Sequence, residues 1–173
     1  MEERKGVRVI LQAAAELVNV RHRRDVHFLI CGNRDGEKER FDGLYRQSPA
    51  EAHITFGGYR RDIPELLPGC YAGIIASTGW DSHTLSAVEM AACGLPLLVS
   101  DLVGLKEAVV EGKTGYLFSV GDHLELADRI DDLVASPAAR QTLSNHAVER
   151  ARRCYSRETQ KKALLRILAT HCS

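Results

Sequence analysis

Between Ser77 and Asp101 the chain reads STGWDSHTLSAVEMAACGLPLLVSD, and two carboxylates in it, Asp81 and Glu89, stand eight residues apart. The pattern places a strand end near Ser77, a loop carrying Trp80 and Asp81, and a helix beginning at about Ser82–Thr84. Free N–H groups at a helix start form an anion site, suited to phosphate. Asp81 would precede that start and Glu89 would lie roughly two turns in. Together they could bracket a ligand lying across the helix N-terminus, each accepting hydrogen bonds from hydroxyls. Singly, Asp81 reads as a helix cap and Glu89 as an exposed charge. Glu89, however, sits among Ala87, Val88, Met90, Ala91 and Ala92. A carboxylate in an otherwise core-facing helix costs free energy without a partner, so Glu89 is expected to look into a cleft.

Other candidate chemistry falls away. Gly112-Lys113-Thr114 imitates the end of a phosphate loop, but Glu107 stands where the first glycine is needed. The segment also lies between a short helix and a strand, the reverse of the required order. EGKTG therefore reads as a tight turn with positive-φ glycines. No G-x-G-x-x-G occurs, which disfavours a dinucleotide oxidoreductase. Five cysteines (Cys31, Cys70, Cys93, Cys154, Cys172) show no C-x-x-C, and no His pair has zinc spacing. They read as reduced thiols, with Cys31 and Cys93 as small core residues, and no metal is expected.

The elements that must position Asp81 and Glu89 alternate. Val7 to Val20 carries apolar residues at helical spacing (Val9, Ile10, Ala13, Ala14, Leu17, Val18). VHFLICG, HITFGGY, YAGIIAS, LPLLVSD and GYLFSV read as strands. Between them, EKERFDGLYRQS reads as a polar helix weakened by Gly43, and DIPELLPGC as a short helix with Asp62 at the N-cap. SHTLSAVEMAACG and LKEAVVEG complete the alternation, and from Asp122 three helical stretches close the chain, broken near Ser136-Pro137 and Tyr155-Ser156. Strands apolar throughout need cover on both faces, so the fold class is α/β, a Rossmann-like parallel sheet with helices on both faces. The chain opens on a helix where such a fold opens on a central strand, so the first strand is apparently missing and a fragment is expected. A gap or an exposed pair of sheet edges should result, with self-association as one consequence.

Length and composition set the frame. At 173 residues the chain is one domain or half of a larger enzyme, and no linker divides residues 1–173. Its 45% hydrophobic and 27% charged content argues against disorder. Lys+Arg and Asp+Glu tie at 23, so no net field draws the chain to nucleic acid. No apolar run approaches the roughly 18 residues of a membrane span. MEERKGVRV lacks a secretory core, so a cytoplasmic location is expected.

The segment SHTLSAVEMAACGLPLLVSDLVGLKEAVVEGKTGYLFSVGD closely resembles the C-terminal donor-binding domain of retaining family 4 glycosyltransferases, half of the two-Rossmann GT-B fold. The resemblance is carried by Ala76-Ser77, Asp81-Ser82-His83-Thr84, Glu89 to Pro96, Gly104 to Glu107 and Gly112 to Gly115. Lys5-Gly6, Cys31-Gly32 and Phe56-Gly57 extend it from Lys5 to about Tyr155. It implies a nucleoside-diphosphate sugar as donor substrate, with no cofactor or metal. Glu89 would hold ribose hydroxyls and Asp81 the hydroxyls of the donor sugar. Ser82, His83, Thr84 and Leu85 would receive the diphosphate, and Lys5 would neutralise it as it departs. Gly58, Tyr59 and Arg60 would lie near the nucleobase, with Gly32 at a neighbouring strand end.

Several departures from the family pattern stand out. Asp81 is one methylene shorter than the family glutamate, His83-Thr84 replaces Phe-Gly, and Ala72-Gly73 replaces Ala-Asp. Arg4 adjoins Lys5 rather than lying a few residues upstream. An acceptor-binding N-terminal domain, absent from this chain, is the implied partner in cis or in trans. Two other readings are a subunit of a split transferase and a non-catalytic module that binds a sugar nucleotide or a partner. Arg21, His22, Arg23 and Arg24 form a basic stretch that would be either a peripheral membrane contact or a solvated loop.

Overall fold

The computed structural model describes residues 2–81 and 84–171. Helix α1 (Val7–Ala15) runs on through a wide π turn to Val20, and together they bury Val9, Leu11, Ala13, Ala14, Leu17 and Val18. Strand β1 (Phe28–Cys31) pairs in parallel with β2 (Ile54–Gly58). Strands β3 (Gly73–Ile75), β4 (Leu97–Ser100) and β5 (Gly115–Phe118) form a second parallel sheet in that order. Helices α2 (Asp42–Tyr45), α3 (Ile63–Leu66) and α4 (Leu85–Ala92) cross between strands. Helices α5 (His123–Ala135), α6 (Pro137–Tyr155) and α7 (Arg157–His171) close the chain.

The expected single sheet is thus two sheets, split between β1 and β3. The split is the predicted gap: among the described residues no strand lies between those two. Alternation along β4 explains the layers. Leu98 joins the core under α1 and α5, whereas Leu97 and Val99 join the one under α4 and α6. All four β4 residues are buried. β1 is different, since Leu29 is 40% exposed beside the gap, so not every apolar strand is covered on both faces.

Close approach dictates two glycines. A Cβ on Gly73 would sit 2.2 Å from Met90 Sδ, which packs α4 onto the start of β3. A Cβ on Gly115 would sit 1.9 Å from Leu97 O, where β5 joins β4. On the far side of α4, the buried Ser144 hydroxyl of α6 donates to Gly94 O at 2.6 Å. The Asp122 carboxylate caps α5, accepting from the Leu124 and Glu125 amides at 3.0 and 2.9 Å.

Local expectations fail where tertiary packing decides. The polar helix after Gly36 is a 3-10 turn followed by the single turn α2, because Phe41 and Tyr45 turn inward to the core. LKEAVVEG is helical only as a 3-10 turn at Lys106–Ala108. Asp62 stands at the N-cap of α3, but its carboxylate takes the Arg60 guanidinium instead of a backbone amide. Cys31 and Cys93 are half-buried rather than core residues. EGKTG is a turn as expected, with the Val110 amide donating to the Thr114 hydroxyl at 2.9 Å. No helix among the described residues is long and apolar enough to cross a membrane.

The basic stretch after α1 is consumed within the chain. Arg21 meets Asp131 at 2.8 Å and Asp128 at 2.7 Å, and Arg23 meets Asp131 at 2.6 Å. Arg24 donates to Val18 O. Burial pushes the Asp131 carboxyl up, but hydrogen bonds from Arg23 and Arg21 more than offset this and leave it below the usual range. A lowered carboxylate pKa stabilises the fold above the unfolded value of about 3.9, and that contribution is lost as pH falls through the folded value. Asp131→Asn should therefore cost about 1–2 kcal/mol at pH 7. Denaturant melts from pH 7 to 3 should show the difference between variant and parent vanishing at the acid end. A constant difference would disprove the linkage.

Candidate functional site

The site grows from a backbone stitch between two loops far apart in the chain. Gly6 adopts φ 71°, and a Cβ there would lie 1.6 Å from Ala76 O, so only glycine lets the start of α1 lie against the end of β3. The Thr78 amide donates to Arg4 O at 2.8 Å. Arg4 in turn donates to Trp80 O at 2.9 Å and stacks its guanidinium 4.6 Å from the indole centroid. Trp80 itself is 81% exposed at the rim.

That stitch delivers Lys5 to Asp81. Lys5 Nζ donates to Asp81 Oδ2 at 2.8 Å across 76 residues of chain. The same oxygen accepts from the Ser77 hydroxyl at 2.7 Å. Ser77 is itself buried, and its carbonyl accepts from Ser100 at 2.8 Å. The Asp81 side chain is only 9% exposed, whereas Lys5 keeps 41% of its side chain in solvent. The carboxylate is thus held from two sides while the ammonium can still reach a ligand.

A cleft of about 1370 Å³ runs along the gap, and its walls include Lys5, Gly32, Ser77, Asp81, Thr84 and Glu89. At the helix start, the Thr84 hydroxyl caps α4 by accepting from the Ala87 amide at 3.2 Å. Gly32 has φ 94° and open space where a Cβ would stand. Its amide donates to Gly58 O at 2.7 Å, and the Gly58 amide donates to Asn33 Oδ1 at 2.8 Å. Cys31 and Cys70 also line the cleft, and burial raises both thiols above their ordinary range, which keeps them protonated at neutral pH.

Of the sequence-predicted residues, Lys5, Asp81, Thr84, Glu89 and Gly32 meet in this cleft. Gly58, Tyr59 and Arg60 stand one strand further out; Tyr59 is exposed and Arg60 is bound to Asp62. That hydrogen bond holds the Asp62 carboxyl below its usual range. Leu85 is exposed on the first turn of α4. Ser82 and His83 lie outside the described residues. The premise for Glu89 needs correcting. Only Ala87 and Ala91 of α4 are buried, and Glu89 is exposed, so no burial cost forces it to find a partner. Ser77 and the Arg4–Trp80 contact were not anticipated. A serine at a strand end four residues before an aspartate was the signal for the first, but nothing in the sequence pairs Arg4 with Trp80.

The pattern of the glycosyl transferases group 1 family matches residues 1–136. The chain belongs to that family. Among curated relatives of this glycosyl transferase domain, the D-inositol 3-phosphate glycosyltransferase of Corynebacterium diphtheriae is 31% identical, over 87% of this chain and 36% of its own length. Its counterpart in Corynebacterium efficiens is 34% identical, over 86% and 36%. The chain therefore spans little more than a third of these relatives. The fold is shared with Anabaena Alr3699/HepE, solved in complex with UDP, at TM-score 0.88 and 23% identity, covering 98% of this chain and 46% of that one.

The stitch makes a prediction. Gly6→Ala must move either the start of α1 or the end of β3, and it should lower the melting temperature by several degrees, a loss of at least about 2 kcal/mol. Gly36→Ala is the control, since its positive φ brings a similar conformational cost but nothing lies within 4 Å of the added methyl. Equal melting shifts for the two variants would show that close approach at Gly6 does not matter.

Proposed function

We propose that the chain is the donor-binding half of a retaining glycosyltransferase and takes a nucleoside-diphosphate sugar at the carboxyl ends of β3 and β1. The observation that carries this reading is the Lys5–Asp81 pair beside the capped start of α4, with Glu89 on the same cleft wall. In parallel α/β sheets this edge is where ligands bind. HepE, with the same fold, was solved with UDP and with UDP-glucose, which makes these the ligands to test.

Each residue then has a part. Glu89, exposed and unburdened by burial, offers two carboxylate oxygens to the two adjacent hydroxyls of a ribose. The first turn of α4 at Leu85, with Ser82, His83 and Thr84 before it, faces the diphosphate. Gly32 leaves room at the opposite strand end, and Gly58, Tyr59 and Arg60 form the outer margin toward the base. Lys5 leaves Asp81 for the diphosphate, where its attraction grows as negative charge builds on the leaving group. Asp81 then accepts from a sugar hydroxyl. No metal ion or other cofactor is called on by this arrangement.

Transfer needs an acceptor held against the donor, a task this reading assigns to a further domain in cis or in trans. A cytoplasmic location belongs to the same reading. A membrane contact through Arg21 to Arg24 does not, because three of those four side chains are bonded within the chain.

Calorimetry on two variants tests the assignment. Glu89→Gln should weaken UDP and UDP-glucose alike by about tenfold to a hundredfold, the loss of a charged hydrogen bond worth ~1.5–3 kcal/mol. Asp81→Asn should weaken UDP-glucose only. It should leave UDP unchanged or tighter, because Lys5 loses its competing partner. Equal losses for both ligands in the Asp81 variant would remove it from the sugar site, and an unaffected Glu89 variant would end the donor-site reading of α4.

A further inference from the structure

Trp80 is the chain's only tryptophan, and it stands mostly exposed at the rim of the cleft. A single exposed apolar side chain is ordinary on a protein surface. This one differs because it is held. The Arg4 guanidinium lies over one face of the indole, 4.6 Å from its centroid, and donates to the Trp80 carbonyl at 2.9 Å. Arg4 is fixed in its turn by an ion pair with Glu2 and by its own carbonyl, which accepts from the Thr78 amide at 2.8 Å. A Cβ on Gly79 would stand 3.0 Å from Arg4 Cβ, so the loop lies directly against the residue that clamps it.

With a cation over one face and most of the side chain in solvent, the opposite face of the indole is open. That face carries the negative lobe of the ring quadrupole, so it repels a phosphate or carboxylate and attracts weakly positive C–H groups. A hexopyranose with equatorial hydroxyls has this complementary form. Its axial C–H bonds make two flat apolar faces, and its hydroxyls ring the edge, where polar groups or water can take them. Position favours the same ligand. The residue after Trp80 is Asp81, whose carboxylate is on the cleft wall, so a ring lying on the indole would turn its edge toward the site. Because Arg4 already fixes the indole, little side-chain entropy is lost when a ring stacks on it.

We infer that the open face of Trp80, clamped from behind by Arg4, is a stacking platform for a hexopyranose ring at the mouth of the cleft. This contact is additional to the hydroxyl contact assigned to Asp81. The ring is the donor's own sugar or a second sugar that receives it, and both present the same chemistry to the indole. Its place in the transfer rests on the donor reading, but the stacking itself does not, so the two can fail separately.

Ligand-observed saturation-transfer NMR on the full 173-residue chain, irradiating the aromatic protons, tests this. The probes are UDP, UDP-glucose, and methyl β-D-glucopyranoside at millimolar concentration with and without UDP. Ring C–H protons of at least one glucosyl probe should receive saturation, and the emission of the chain's only tryptophan should shift with the same probe. Trp80→Ala should abolish the transfer and Trp80→Phe should restore part of it. Where the contact is to the glucosyl ring of UDP-glucose, Trp80→Ala should also weaken that ligand by about twofold to tenfold and leave UDP unchanged. Such a contact gives the platform to the donor sugar, and a contact to the methyl glucoside in the presence of UDP gives it to the receiving sugar. Should Trp80→Ala not fold, the emission shift of the parent chain still decides. A contact by the methyl glucoside without UDP, together with an unaffected Glu89→Gln variant, would keep the platform and end the donor reading. Three outcomes would overturn the inference: no saturation of either glucosyl ring and no emission shift, saturation undiminished in Trp80→Ala, or equal weakening of UDP and UDP-glucose in that variant, which would give the indole to the nucleotide.

Discussion

The contact between Gly6 and the end of β3 is the constraint on which the rest of the site depends. A residue with a side chain at position 6 would overlap Ala76 O, so the backbone could not come close enough for Thr78 to reach Arg4. Without that hydrogen bond the first turn of the chain would lose its backbone anchor to the loop at 78–81. Lys5 would then lose its register with Asp81, and Arg4 with Trp80. A carboxylate as buried as Asp81 would lose the ammonium that balances its charge, and the Ser77 hydroxyl is a poor match for a full negative charge. One conformational freedom, that of glycine, thus propagates into the electrostatics of the cleft.

The site also straddles two bodies of structure. Asp81, Thr84 and Glu89 hang from the three-stranded sheet and from α4, which Met90 packs against Gly73 and Ser144 ties to α6. Gly32 belongs to the two-stranded sheet. What joins them is the α1 layer, whose buried residues share one core with Phe28 and Ile30 on one sheet and Leu98 and Phe118 on the other. Binding geometry is therefore set by a helix layer on one face of a divided sheet.

Much of this was legible in the sequence, and the reasons differ by element. The alternation of short apolar strands with helices reads clearly because β4, central in its sheet, buries every residue and leaves no period-two trace. The gap was expected because the chain's first apolar stretch, Val7 to Val20, reads as a helix and not as a strand. Lys5 and Asp81 were both named through the family resemblance, but nothing in spacing could show that they touch each other. Glu89 was named on a physical premise that does not hold: the small residues around it are small because α4 lies close to β3 and α6, and its outer face is solvent. The polar stretch at 37–48 misled because Phe41 and Tyr45 outweigh its charges, and a long-range demand on two side chains overrides local helix preference.

Charge pairing inside the chain separates the functional cation from the structural ones. Arg21 and Arg23 both meet Asp131, which is as enclosed as they are, so these pairs fasten the segment after α1 to α5. Lys5 differs in being markedly more exposed than its partner, which makes it the group able to change partners. The most direct test of that claim is a crystal structure of the chain with UDP-glucose bound. Lys5 Nζ should move off Asp81 Oδ2, where it now sits at 2.8 Å, and lie within about 3 Å of a diphosphate oxygen, with Asp81 accepting from a sugar hydroxyl. A bound nucleotide sugar with the Lys5–Asp81 contact intact and both groups remote from the diphosphate would contradict the account.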